Sequence, residues 1–209
     1  MVARPSRLSI SEQSGRQLEN LLKTLATAAI GIGLGLFSTW LAVERGYGFG
    51  AVNAGPWTAW PKSGSSEADP YARAVVARSA EIPLGLAEGL TFVARQDDAG
   101  ALLDPKCDYR VSGPLPPART WTMTLMTPRG GLIDNPVHRF GFTSGEIVRE
   151  KSQSIDIAVS RYASAGNWLP LGQQVPFVLA LRLYDTIVRA SASAIDAAAM
   201  PSITRGTCE

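Results

Sequence analysis

The chain has 209 residues, 45% of them hydrophobic and 18% charged, which suits one globular domain with an appendage and excludes a disordered chain. Twenty Gly and 14 Pro, set against one His and two Cys, exclude a collagen, a coiled coil, a dense disulfide scaffold and a multi-pass membrane protein. The formal net charge of +2 lies in the first 45 residues; from Gly46 onward 15 basic side chains meet 15 acidic ones. A neutral body gives no electrostatic footprint for DNA or RNA, so no nucleic-acid partner is expected.

Residues 24–43 (TLATAAIGIGLGLFSTWLAV) carry no charge. A helix of that length spans about 30 Å, the thickness of a bilayer core, and satisfies its own backbone. Arg4, Arg7, Arg16 and Lys23 precede the run, and only Arg45 follows it before Lys62. By the positive-inside rule, residues 1–23 form a cytoplasmic segment, 24–43 a signal-anchor helix, and the rest lies across the cell membrane, periplasmic or otherwise extracytoplasmic. A cleaved signal peptide would have a shorter apolar region with a small-residue site directly after it. A buried core helix is the other alternative, and twenty uncharged residues argue against it. Gly31 and Gly35 form a GxxxG pair through which two helices could approach, so a homo-oligomer is a further expectation.

Residues 44–56 read as a Gly-rich linker. Asp69-Pro70 predicts a helix start, with Asp as N-cap and Pro at the first helical position, running to about Ala80. From Leu90 the period becomes two. Strands are predicted over Leu90–Ala94, Tyr109–Val111, Arg119–Met126, Phe140–Phe142, Ile155–Val159 and Phe177–Tyr184. Trp121, Met123 and Leu125 alternate with Thr120, Thr122 and Thr124, and Phe177, Leu179, Leu181 and Leu183 repeat the pattern; each is a strand with one buried face. Asp97–Gly100 and Pro128–Gly131 read as hairpin turns. The expected fold is mainly β, an antiparallel sandwich or jelly-roll-like domain over 57–185, preceded by the membrane helix and the short helix. Residues 186–209 are expected to form a tail packed on it.

Several motifs resemble the family named "domain of unknown function 1214". They are Asp69-Pro70-Tyr71-x-Arg73-Ala74, Pro83-Leu84-Gly85, Glu88-Gly89, Cys107-Asp108-Tyr109, Pro117-Ala118-Arg119-x-Trp121-Thr122, Gly166-Asn167-Trp168-Leu169-Pro170 and Leu181-Arg182-Leu183-Tyr184-Asp185. The resemblance covers about Trp57 to Tyr184 and is that of a short, membrane-anchored member. It implies a β-rich domain of the cell envelope and no established activity.

The chemistry open to the chain is sparse. Cys107 and Cys208, 101 residues apart, form no CxxC motif. In an oxidising compartment they would bridge the C-terminal tail to the domain; two unpaired thiols are the alternative. One histidine, His138, and no GxSxG elbow give a serine triad nothing to work with. No HExxH or comparable ligand set suggests a metal, and no cofactor is expected. Asp97-Asp98, Asp104, Asp108, Asp134 and Glu146 are the carboxylates available to a hydrolase, and Asp97 and Asp98 should splay into water from their turn.

Arg119 and Arg182 lie within apolar strands. A buried Arg182 would need a carboxylate such as Asp185 or Asp156. Facing outward near Tyr184, Trp168 or Trp121, it would suit a sugar or an anionic ligand. Arg119, Trp121, Trp168, Arg182 and Tyr184 are therefore the candidate ligand-binding residues. The expected function is binding of a glycan-like ligand or an envelope partner, with an oligomerising module and a carboxylate hydrolase as alternatives.

Overall fold

The computed structural model describes residues 7–44, 50–78, 83–85, 87–148, 154–186 and 196–208. It divides into two units, residues 1–45 and 46–209. The first holds one helix, α1 (Arg7–Glu44), 38 residues long. Its segment Gly15–Val43 is long and apolar enough to cross a membrane. The helix thus extends well before the uncharged run. Leu25, Ile30, Leu34, Phe37 and Trp40 are all exposed along it. Its hydroxyls bond back into the helix: Thr24 Oγ1 donates to the Asn20 carbonyl and Thr27 Oγ1 to that of Lys23, both at 2.9 Å, and Ser38 Oγ donates to that of Gly35 at 3.0 Å. An apolar medium requires this internal satisfaction.

Among its described residues the second unit holds ten strands and one short α-helix. In chain order they are β1 (Val52–Ala54), β2 (Trp57–Ala59), α2 (Pro70–Arg78), β3 (Gly89–Ala94), β4 (Cys107–Gly113) and β5 (Ala118–Met126). Then come β6 (Gly141–Thr143), β7 (Ile155–Ser160), β8 (Asn167–Pro170), β9 (Val178–Thr186) and β10 (Ser202–Cys208), with a 3-10 turn at Ala197–Ala199 before the last. A six-stranded sheet runs β1-β2-β3-β9-β5-β6 and a four-stranded sheet β10-β4-β7-β8. Every pairing is antiparallel except β7 with β8, which is parallel. The predominantly antiparallel β architecture expected from the sequence is present, with this one parallel pair added. Parallel neighbours usually need a long crossover. Here six residues, 161–166, suffice because β8 pairs over four residues only, Ile157 opposite Asn167 through Ser160 opposite Pro170.

Two further boundaries differ from the sequence reading. The linker expected over 44–56 contains β1, which pairs with β2 around Gly55. The tail expected over 186–209 ends in β10, an edge strand of the small sheet rather than a segment laid upon it. The described part of α2 ends at Arg78; the last residues of the helix expected to reach Ala80 lie outside the described residues.

The core lies between the sheets. Phe92 of β3, Met123 and Leu125 of β5, and Leu179, Leu181 and Leu183 of β9 point from the large sheet. Val111, Ile157, Val159, Leu169 and Ile203 point from the small one. Tyr109 meets Phe177 edge to face at 5.9 Å between ring centres, an aromatic geometry that adds to the area buried. Two-residue periodicity supplied these faces, since alternate side chains of a strand leave on opposite sides.

β10 buries little of its own and is held by other means. Ser202 Oγ donates to the Ser112 carbonyl, Trp57 Nε1 donates to the Pro201 carbonyl at 2.7 Å, and Cys208 is bonded to Cys107. The turn after β3 grips its free edge. The Asp98 N–H donates to the Ile203 carbonyl at 3.0 Å, and Ile203 returns its own N–H to Asp98 Oδ2 at 2.9 Å. Asp97 is buried, 3% exposed; its Oδ1 accepts the N–H groups of Ala99 and Ala101, and its Oδ2 accepts Arg205 Nε at 2.9 Å. The two carboxylates therefore do not both splay into water; one is a clamp.

Asp98 supplies a pH test of this clamp. Burial raises its carboxyl above the ordinary value and the Asp97 charge adds to that, while the hydrogen bond from Ile203 opposes it. A raised folded-state value means that Asp98 favours folding when protonated, a contribution lost as pH rises through that value. Asp98→Asn keeps an acceptor for Ile203 and has no charge to desolvate. The stability of the parent minus that of Asp98→Asn should therefore fall from pH 4 to pH 7 in urea titrations. A difference growing with pH in the parent's favour would contradict the assignment.

Candidate functional site

The outer face of the large sheet, read as a solvent face by alternation, is partly roofed. Trp60, just beyond β2, leaves on this face together with Thr91 and Val93 of β3, Arg95 beyond it, Met126 of β5 and Val178 of β9. Met126, Val178 and Ala180 form a small apolar cluster with Val93, separate from the main core. The roof is α2. Asp69 caps it as expected, Oδ1 accepting the N–H groups of Tyr71 at 2.9 Å and Ala72 at 3.1 Å. Arg73 ties it to the preceding loop by donating to the carbonyls of Ala68 and Ser66. Ala72, Val75 and Val76 then face the sheet, with Pro83 and Leu84 beside them. Gly64 makes the approach of Leu84 possible: a Cβ there would stand 2.1 Å from the Leu84 carbonyl oxygen.

Between roof and sheet is a cavity of ≈ 120 Å³ that opens to solvent. Its lining is mostly aliphatic, with two exceptions that matter chemically. Trp60 and Thr91 are in its wall, and their Nε1 and Oγ1 atoms are shut off from solvent and have no hydrogen-bond partner among the described residues. Buried polar atoms are nearly always paired, so two such atoms in neighbouring wall residues are a local irregularity. Arg95 brings a guanidinium to the same place, 5.8 Å above the Trp60 ring. Among the described residues lining the cavity, Arg95 is the charged one.

The five residues expected from the sequence do not gather in one place. Arg182 and Tyr184 leave β9 on the outer face of the large sheet, half-buried. Arg182 does not line the cavity but touches one residue that does: Nη2 lies 3.8 Å from Met126 Sδ, and Nη1 donates to Thr124 Oγ1 at 3.5 Å. Trp121 is buried in the core between the sheets, on the opposite face from Arg182, and Arg119 is exposed. Trp168 belongs to β8 in the other sheet, where Nε1 donates to the Ser160 carbonyl at 3.0 Å. It lines a wider cleft of ≈ 420 Å³ with Pro136, Val137 and Arg161. Asp156, one carboxylate offered to Arg182, lies on the outer face of the small sheet and is held bidentately by Arg110. Asp185 is exposed in a left-handed backbone conformation, φ 49°, with its N–H donating to the Glu88 carbonyl.

The remaining acidic candidates have structural bonds. Glu146 accepts both the N–H and the Oγ1 of Thr143, which lowers its carboxyl below the ordinary range, Arg139 adding to the effect. Asp104 accepts the Lys106 N–H, and Asp108 accepts Thr207 Oγ1 at 3.2 Å. His138, exposed at φ 52°, lies 3.7 Å from the Asp134 carboxylate.

Sequence reasoning missed Trp60, Thr91 and Arg95. Alternation from Phe92 and Ala94 does place Thr91, Val93 and Arg95 together on the outer face. What it lacks is the knowledge that α2 covers that face.

Comparison with known proteins places the fold and leaves activity open. No curated protein matches the chain. Four solved chains do. One is the VPA0106 protein from Vibrio parahaemolyticus, 18% identical, with a TM-score of 0.55 over 88% of this chain and 46% of that one. Another is an uncharacterised protein from Burkholderia cenocepacia, 15% identical, with a TM-score of 0.44 over 86% of this chain and 42% of that one. The chain thus spans less than half the length of these neighbours. Residues 88–187, which contain β3 to β9, match the family described as "Protein of unknown function (DUF1214)".

Proposed function

We propose that the chain is a single-pass protein of the cell envelope whose β domain binds a small ligand in the cavity beneath α2. The observation that carries the binding reading is the largely apolar cavity between α2 and the outer face of the large sheet, with Trp60, Thr91 and Arg95 in its wall. A concave apolar site with a few convergent polar groups is what small-molecule recognition requires. Anchoring by α1, with the N-terminus cytoplasmic, is supported by the exposed apolar helix and by the basic residues before it. The Cys107–Cys208 bond supports an oxidising, extracytoplasmic location for the domain.

The test is thermal unfolding of the full chain in lipid nanodiscs against small aromatic acids, short fatty acids and monosaccharides. A ligand at a hundred times its Kd adds about 3 kcal/mol, roughly 5–10 °C for a chain of this size. Val75→Phe, which fills the cavity from α2, should abolish that rise for every compound that gives one. A panel in which no compound raises the transition contradicts the proposal.

A further inference from the structure

We infer that a second site, the groove running from Trp168 to Lys106, binds a neutral oligosaccharide of two or more pyranose rings. The groove shares no wall residue with the cavity beneath α2 and does not depend on it. It consists of two depressions whose walls share Arg161 and Leu171: the cleft of ≈ 420 Å³ at Trp168, and another of ≈ 170 Å³ at Lys106 and Tyr162. The first alone has the size of a small-molecule site. Its aromatic wall is held still by local bonds. Trp168 Nε1 is spent on the Ser160 carbonyl. Asn167, one residue earlier, donates Nδ2 to the carbonyls of Val148 and Asp156 and accepts the Val148 N–H, each at 2.8 or 2.9 Å. Arg139 Nη1 donates to the Trp168 carbonyl at 3.2 Å. A ring fixed before the ligand arrives loses little rotamer freedom on binding. With its N–H engaged, the indole has only its π surface to offer. That face is negative, and the ring hydrogens of a pyranose, drawn positive by the oxygens beside them, suit it. Tyr162, 69% exposed, supplies an aromatic ring to the second depression, so a further sugar unit has a platform of its own. The polar wall residues narrow the class. Lys106 donates, Asp108 accepts, and Gln174 does both. Sugar hydroxyls, each a donor and an acceptor, can use all three. A polyanion would meet the Asp108 carboxylate as well as the cations. An extended peptide needs donors for its carbonyls along its whole length, and the indole has none left.

The experiment is a ¹H–¹⁵N titration of the tryptophan indole signals of the full chain in nanodiscs, with Trp168 assigned by Trp168→Phe. The probes are glucose, cellotetraose, chitotetraose, maltotetraose, the anionic tetragalacturonate and a proline decapeptide. At least one neutral tetrasaccharide should move the Trp168 signal saturably and leave that of the core residue Trp121 in place. It should bind about tenfold more tightly than glucose, the scale of one further ring contact. Tyr162→Ala, at an exposed position, should weaken it several-fold, and Val75→Phe should leave it unchanged. A tetrasaccharide that binds no more tightly than glucose, or that is indifferent to Tyr162→Ala, overturns the two-ring groove. Tetragalacturonate or the decapeptide binding more tightly than every neutral sugar overturns the ligand class. A shift lost in Val75→Phe places the sugar beneath α2 and removes this site. A Trp168 signal that no probe moves overturns the inference and leaves the reading of the α2 cavity standing.

Discussion

Replacing Cys107 and Cys208 together by alanine is expected to lower the thermal transition of the β domain by roughly 10–20 °C. The bond closes a loop of 101 residues. In the chain-entropy model such a cross-link removes about 4–5 kcal/mol of freedom from the unfolded chain. For a chain of this size each kcal/mol shifts the transition by roughly 2–4 °C. The effect should be near the upper end because the bond secures an edge strand that contributes one fully buried aliphatic, Ile203, to the core. Calorimetry of the full chain in nanodiscs, oxidised parent against double variant, measures it. A shift under about 3 °C would show that the hydrogen bonds and the Asp97 clamp hold β10 unaided.

Asp97→Ala is the second large effect, expected to cost about 3 kcal/mol. Removing one partner of a buried ion pair leaves the other charge without compensation, which typically costs about 3–5 kcal/mol. Arg205 is 33% exposed, so water recovers part of that and the lower end applies. Arg205 also keeps two other interactions, donating to the Leu102 carbonyl and stacking over the Tyr109 ring at 5.6 Å. The N–H groups of Ala99 and Ala101 lose their acceptor as well. Asp97→Asn, which can still accept from them, should recover about half the loss. Urea unfolding of the parent, Asp97→Ala, Arg205→Met and the variant carrying both changes forms a cycle that isolates the pair, with Asp97→Asn measured beside it. If Asp97→Asn is as damaging as Asp97→Ala, the turn bonds carry nothing and the pairing everything. If neither costs more than about 1 kcal/mol, the clamp is incidental.

These predictions bear on what a sequence can disclose. β5 and β9 are legible because they lie side by side within the large sheet with a full face against the core, so alternation is strong over eight or more residues. The same logic fails at the edges. β10 shows one fully buried side chain, and β8 is four residues ending in Pro170. Neither carries enough periodicity to stand out, and both are held by bonds to distant parts of the chain. Asp97 and Arg205 are 108 residues apart. The turn at Asp97–Gly100 is readable from its residues, yet its second role depends on where the C-terminus returns. The candidate site has the same character. Thr91, Val93 and Arg95 look like the wet side of a strand until α2 is laid over them. Trp60 lies in a stretch whose Gly and Pro suggest a loop. Arg182 drew attention as a cation within an apolar strand; it touches Met126 and is not itself in the cavity wall. Trp121 drew attention by its chemistry alone and is core.

The most direct test of the central claim, that the space beneath α2 is a binding site, is a crystal structure of the chain with the compound that raises its thermal transition most. The account predicts that compound seated beneath α2 against Val75, Met126 and Val178. The compound bound elsewhere, with only water beneath α2, would contradict it.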